Sequence, residues 1–327
     1  MIRSLFYSPD TRLQTSVNKE DLPQLLRIEN GLLWIDFQGE PNEIAEPILR
    51  DAFGFHPLAI DDALQESHVP KLDDWGNFLY IVLHAVEFDE QEKDVHTCEL
   101  DIFLGLNYIV THHDQSIAAL DKVWLSFQRD ERHLKSGADH VLYRVVDEIA
   151  ASYMPVVEQL DLSIDRLEDE IFEEQKHNTL EQIFGIKRLI LYLRRILSHQ
   201  REVLNNLARD EYQVIDAGDR IYFRDVYDHM VRLYDITEGV RDLISGALDT
   251  YLSVINNRMN EIMKTLTIIT TLFMPLAFIT GFFGMNFFQP VNPLDVWTGR
   301  PAFWITMLVI VVTPYFMFRW MRRRRWM

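Results

Sequence analysis

Carboxylates are the most abundant chemically active side chains: 50 Asp and Glu stand against 32 Lys and Arg, for a net charge of −18. Oxygen donors in such number suit hard metal cations and repel nucleic acid and anionic surfaces. His112-His113-Asp114 offers a transition-metal reading, but adjacent residues on a strand point to opposite faces and nothing else in the sequence completes a site. Cys98 stands alone, so no disulfide forms within the chain and nothing suggests an oxidising compartment. No glycine-rich nucleotide loop, catalytic triad or zinc signature is present, so the sequence points to neither an enzyme nor an ATP-driven pump.

The charge is unevenly placed. From Glu261 onward two acids (Glu261, Asp295) face seven bases (Lys264, Arg300, Arg319 and Arg322 to Arg325), which leaves residues 1–260 at −23. The same C-terminal part carries two uncharged apolar runs, 265–285 and 301–318. Each is close to the roughly 17–25 residues that a membrane-spanning helix needs. The second run ends in Arg319-Trp320-Met321 and the four arginines Arg322–Arg325. By the positive-inside rule the C-terminus is expected in the cytoplasm. With two spans the acidic N-terminal part is expected there too, and the short loop from Phe287 to Arg300 outside. The first thirty residues show no basic segment followed by an apolar core, so no cleavable leader is expected.

Elements that could hold these residues follow from periodicity. Residues 31–37, 78–88 and 99–111 are rich in Val, Ile, Phe, Tyr and Trp and read as strands, the last a hairpin turning at Gly105-Leu106-Asn107. Glu43–Leu49 and Pro57–Leu64 read as short helices. Leu160, Ile164, Leu167 and Ile171 recur at helical spacing, with Pro155 expected to start or kink that helix. Asn178 followed by Glu181 resembles a cap for the next helix, carried by Ile183, Ile186, Ile190, Leu193, Leu197, Leu204 and Leu207. The first helix is acidic and the second basic, which suggests an antiparallel hairpin. After Gly218 no proline occurs until Pro275, and Val226, Met230, Leu233, Val240, Leu243, Leu252 and Ile255 continue one period. A helix over about 219–283 would be roughly 100 Å long at about 1.5 Å per residue and needs copies of itself to pack against. The expected organisation is an α/β domain (1–137), an antiparallel helical hairpin (138–218), a long stalk helix that becomes the first span (219–284), an outside loop (285–300), and the second span with a basic tail (301–327).

Gly284-Met285-Asn286 ends the first apolar run, with a second span and a basic tail to follow. In this setting the tripeptide resembles the signature of the CorA family of Mg²⁺ (and Co²⁺/Ni²⁺) transport channels. NEIMKTLTIITTLFMPLAFITGFFGMNF (260–287), YFRDVYDHMVRLYDITEGVRDLISGALDTYLS (222–253) and FGFHPLAIDDAL (53–64) are similar to that family as well, so the likeness covers the whole chain. It implies a CorA-like homopentamer in the bilayer around one pore, each copy giving a cytoplasmic α/β domain, a long stalk, an inner span and an outer span. The transported ion and the regulatory ion would both be Mg²⁺, with Co²⁺ or Ni²⁺ as further substrates. A Zn²⁺ transporter of the same build is the nearest alternative, against which Met285 counts. A two-span receptor is a second, against which the loop of about fifteen residues counts.

The resemblance also implies roles. Gly284, Met285 and Asn286 would form the selectivity filter, where a ring of amides can hydrogen-bond a hydrated ion without stripping it. Gly284 would supply a tight, left-handed turn at the helix end. Asn260, Met263, Leu266, Met274 and Ala277 would line the pore, with Leu266 and Met274 as apolar rings that stop hydrated ions. Ala277 stands where some members have Thr, and Phe288-Gln289-Pro290 where many have an acid. Asp61, Asp62, Asp225 and Asp147 would bind regulatory Mg²⁺ between protomers, and Asp249 is an acidic stalk position near the membrane. Carboxylates so clustered repel unless a cation bridges them, so loss of Mg²⁺ would loosen the copies and open the gate.

Overall fold

The computed structural model describes residues 1–10, 12–65, 69–89, 94–173, 178–285 and 300–324. They form two compact units, Met1–Leu248 and Asp249–Met327.

The first unit is built on a seven-stranded sheet in the order β2-β1-β3-β7-β6-β5-β4. The strands are β1 (Ile2–Ser8), β2 (Arg12–Thr15), β3 (Leu32–Gln38), β4 (Lys71–Asp74), β5 (Leu79–Asp89), β6 (Asp94–Leu104) and β7 (Tyr108–His113). All neighbours are antiparallel except β3 and β7. The strands legible from composition are β3, β5 and, from Glu99 onward, the β6–β7 hairpin, whose central parts are buried on both faces and so read as nearly continuous apolar runs; the polar first half of β6, from Asp94 to Cys98, carries no such signal. The strands not foreseen are β1, β2 and β4, which lie toward the two edges. β4 has the sequence KLDD and pairs with β5 at the end of the sheet; edge strands tolerate charge, so no apolar signal marks it. The hairpin turn falls at Gly105, where a Cβ would lie 2.3 Å from the Tyr108 ring.

One face of the sheet is covered by the short helices α1 (Leu22–Leu25), α2 (Asn42–Pro47) and α3 (Pro57–Leu64). Phe6, Leu33, Ile35, Phe55, Tyr80 and Phe103 lie in the core between them, with the Phe55 and Phe103 rings stacked at 4.3 Å. The other face receives α4 (Ala118–Arg129) and α5 (Ala138–Glu173), and Trp34 meets Trp124 of α4 edge-on at 4.6 Å. Beneath Trp34, the fully buried Asp36 is satisfied by Arg3 Nε at 2.6 Å and His113 Nε2 at 3.2 Å. Burial opposes the charge on Asp36, but His113, Thr111 and Arg3 together hold its carboxyl below the usual range.

Helix α5 continues through Pro155 instead of starting there. Tyr153, Val156 and Val157 around the proline are all buried. Their packing offsets the roughly 3 kcal/mol that an interior proline costs. Helix α6 (Thr179–Arg209) starts after Asn178, but the Asn178 side chain makes no capping hydrogen bond. The helices meet through Leu160, Ile164, Leu167, Ile183, Ile190 and Leu193, all buried. Tyr153 donates its hydroxyl hydrogen to the His84 carbonyl on β5 at 2.6 Å. Gln200 of α6 accepts from the His84 backbone N–H at 3.0 Å, so β5 anchors both helices.

Helix α7 runs unbroken from Arg220 to Gly284. In the first unit its buried face is Phe223, Val226, Met230, Leu233, Val240, Ile244 and Ala247. Leu243, expected on this face, is exposed, and Ile244 takes its place, because the step from Val240 is four residues and not three. Arg194 of α6 pairs with Glu238 of α7, which Arg241 also contacts at 2.7 Å. The basic helix α6 therefore finds this acidic partner on α7. The second unit contains the remainder of α7 and helix α8 (Arg300–Arg323).

Candidate functional site

The helices of the second unit are left without full burial over their most hydrophobic parts. The most apolar 18-residue stretches of α7 and α8 have mean hydropathies of 1.8 and 1.5, and none of either stretch is buried within the chain. A soluble core helix of this composition would be covered. Exposed apolar helices of this length require lipid or further copies around them.

The exposure along α7 is not uniform. Met263, Leu266 and Met274 are 57%, 57% and 66% exposed, and Asn260 and Ala277 are exposed too. Ile268, Thr271, Leu272, Pro275, Leu276 and Ile279 are half-buried. At about 100° per residue, these two sets fall on stripes roughly 150° apart. Met274 and Ala277 thus lie on the side away from the half-buried face, whereas Asn260, Met263 and Leu266 belong to a stretch, 256–267, that is exposed all round, and Ile269, Phe273 and Phe278 are exposed as well. Thr265, Thr267, Thr270 and Thr280 bond back to carbonyls four residues earlier, so each hydroxyl is satisfied within the helix.

Gly284 is the last residue of α7. It does not enter the left-handed region, and a Cβ there would meet nothing within 4 Å. The expected left-handed turn is not made at Gly284; instead the Met285 N–H reaches the Phe282 carbonyl at 3.3 Å and tightens the last turn. Met285 is exposed. Asn286 and the loop after it, Asp295 included, lie outside the described residues, as does Arg325.

The candidate regulatory carboxylates separate into two places in one protomer. Asp61 and Asp62 lie side by side on α3, Asp61 exposed. Asp62 is paired with Lys71 of β4, and the same ammonium reaches Asp73 at 3.1 Å. Neither Lys71 nor Asp73 was marked by the sequence; the strand that carries them had no apolar signal. Asp147 on α5 and Asp225 on α7 form the second place. Burial raises the Asp147 carboxyl, Arg144 and His229 oppose that rise, and Glu148 and Asp225 add to it. Arg144 lies 3.6 Å from Asp147. Asp225 is exposed, and so is Asp249 farther along α7.

The histidine pair divides as strand geometry requires. His113 turns to Asp36, and His112 Nδ1 lies 3.7 Å from Asp101 Oδ2. Among the described residues no three His, Cys, Asp or Glu side chains converge to hold a metal ion. The exposed acids are hard oxygen donors of the kind Mg²⁺ takes, and Mg²⁺ keeps several of its waters. In chemistry they suit such an ion, but within one chain the described residues do not bring three of them together.

An acidic α/β unit, a stalk helix that continues into an exposed apolar segment, and a second exposed apolar helix ending in arginines are the build of a membrane protein with two candidate spans. Residues 29–323 match the family described as CorA-like Mg²⁺ transporter protein, and the chain belongs to that family. It is 33% identical over 295 residues to the cobalt/magnesium transport protein CorA of Thermotoga maritima, covering 90% of this chain and 83% of that protein. The complete structure of the CorA magnesium transporter from Methanocaldococcus jannaschii superposes with a TM-score of 0.85 at 26% identity, covering 100% of this chain and 99% of that one. The zinc transport protein ZntB of Yersinia pseudotuberculosis is 23% identical over 272 residues, 83% of this chain and 81% of that protein.

Proposed function

We propose that five copies of this chain form one channel in the cytoplasmic membrane and pass Mg²⁺ inward down its electrochemical gradient. A dication gains about 4.6 kcal/mol per 100 mV of inside-negative potential, so no other energy source is needed. Asn286 selects the hydrated ion at the outer mouth, with Gly284 and Met285 holding it there. Leu266 and Met274 form the dry constriction, between the polar ring of Asn260 and the small ring of Ala277. Asp61, Asp62, Asp225 and Asp147 serve as the regulatory acids at the contacts between copies, and Asp249 adds negative charge along the stalk. Both termini lie in the cytoplasm, in keeping with Arg319 and Arg322–Arg325 at the C-terminal end of the chain.

The observation that carries this reading is that Asn260, Met263, Leu266, Met274 and Ala277 are all exposed and fall within a sector of about 120° around α7 at about 100° per residue. An uncovered, mainly apolar stripe beside a polar Asn is what a shared axis would need. Mg²⁺ is the assigned cargo; Co²⁺ is a further one, in keeping with the name of the Thermotoga relative. The test is Mg²⁺ entry into liposomes holding the purified protein and a Mg²⁺-sensitive dye. Entry that increases with inside-negative potential is expected. Entry no faster than in protein-free liposomes overturns the proposal.

A further inference from the structure

We propose that Lys71 is a built-in competitor of the regulatory dication, occupying Asp62 until Mg²⁺ displaces it. The inference rests on the assignment of Asp62 to the regulatory acids and adds a residue that sets the concentration at which they respond.

Lys71 and Asp73 are two residues apart on β4 and therefore point to the same face of the strand. Asp62 on α3 approaches that face from above, and one ammonium serves both acids. The Lys71 side chain is 31% exposed, against 47% for Asp62 and 44% for Asp73. It is the least solvated member of the three, so its charge is less screened than that of a free surface lysine. Its ammonium sits 5.1 Å from the centre of the Tyr80 ring, and Tyr80 is fixed by a 2.5 Å hydrogen bond to the buried Asp101. The lysine is thus held in place from below as well as from the side. Burial opposes its charge, but Asp62 and Asp73 together raise the Lys71 pKa above its ordinary value. It is a cation at every physiological pH.

The second carboxylate is what makes displacement feasible. An ammonium stripped of its sole partner would be left half-buried and unpaired, at high cost. Lys71 can give up Asp62 and keep Asp73. The exchange swaps one cation for another at Asp62 and leaves no orphaned charge. It also sets opposite signs for two substitutions. Removing the ammonium frees Asp62 and strengthens the field there. Removing Asp73 leaves Lys71 with Asp62 alone and makes it harder to displace.

The experiment titrates MgCl₂ against the full-length protein in detergent and reads protection of the cytoplasmic part from protease. Lys71→Met keeps the aliphatic stem over Tyr80 and should lower the midpoint roughly fivefold to tenfold. Asp73→Asn, which leaves the lysine in place, should raise it. Lys71→Arg should stay near the parent. In an Asp62→Asn background the Lys71→Met shift should vanish. If Asp62→Asn shifts the midpoint while Lys71→Met and Asp73→Asn do not, Lys71 is structural and this inference fails, with the regulatory assignment intact. If Asp62→Asn itself leaves the midpoint unchanged, the regulatory assignment fails and this inference with it. A Lys71→Met shift of equal size in both backgrounds also overturns the inference, since the lysine would then act through another group.

Discussion

Asp147 on α5 and Asp225 on α7 lie within electrostatic reach of each other, and their repulsion adds to burial in raising the Asp147 carboxyl. A carboxyl with a raised folded-state pKa binds its proton more tightly in the folded chain than in the unfolded one. Stability therefore falls as pH rises from the ordinary Asp value of about 3.9 through the folded value. Asp147→Asn should flatten that part of the stability curve, and Asp225→Asn should narrow it. Melting temperatures of the purified protein from about pH 4 to about pH 7, without divalent ions, would show this. A parent-like slope in Asp225→Asn would mean that the two acids are uncoupled, and a parent-like slope in Asp147→Asn would mean that the Asp147 carboxyl is not raised.

Asn286 is expected to be the selective group at the mouth. Asn286→Ala removes one amide from every copy in the ring and should abolish Mg²⁺ entry while the oligomer stays intact by size-exclusion chromatography. Parent-like flux in the Ala variant would reject the filter assignment.

Leu266 and Met274 are eight residues apart, a little over two turns, so both can face one axis. If they form a dry constriction, a hydrated dication cannot cross it while it is closed. Leu266→Asn should let water persist there, increase flux and remove much of the inhibition by internal Mg²⁺. Should Leu266 instead pack against a neighbouring helix, Asn would bury an amide in apolar surroundings and lower both flux and assembly. Flux and oligomer content measured together, with and without internal Mg²⁺, separate the two by sign.

Tyr153 ties α5 to β5 through the His84 carbonyl at 2.6 Å and reaches Gln200 Oε1 at 3.1 Å. Tyr153→Phe keeps the ring and takes this donor from the buried His84 carbonyl, while Gln200 Oε1 keeps the His84 backbone N–H. It should destabilise the cytoplasmic part by about 1–2 kcal/mol, read as a lower melting temperature. Flux at low temperature should hardly change, because the residue supports the scaffold and not the ion path. A variant that melts like the parent would show that water restores the bond.

Patterns that repeat along the chain are legible in the sequence by itself. The two apolar runs, the arginines after Phe318, the long period leading into Pro275 and the buried parts of strands β3, β5, β6 and β7 all follow from composition and spacing. Each element imposes its own period, and a residue declares its face by its position in that period. Gly284-Met285-Asn286 is legible only as a resemblance, since three residues carry no periodic signal.

What the tertiary structure decided are the meetings between residues far apart in sequence. Asp36 is satisfied by His113, 77 residues away, and no local rule pairs them. Pro155 sits inside α5 because packing on both flanks outweighs its local cost. Lys71 takes Asp62 because an uncharacteristic polar strand lies at the sheet edge beside α3. Periodicity fixes which face a side chain occupies, but electrostatic partners depend on distances of a few ångströms between separate elements, and those distances are set only when the elements pack.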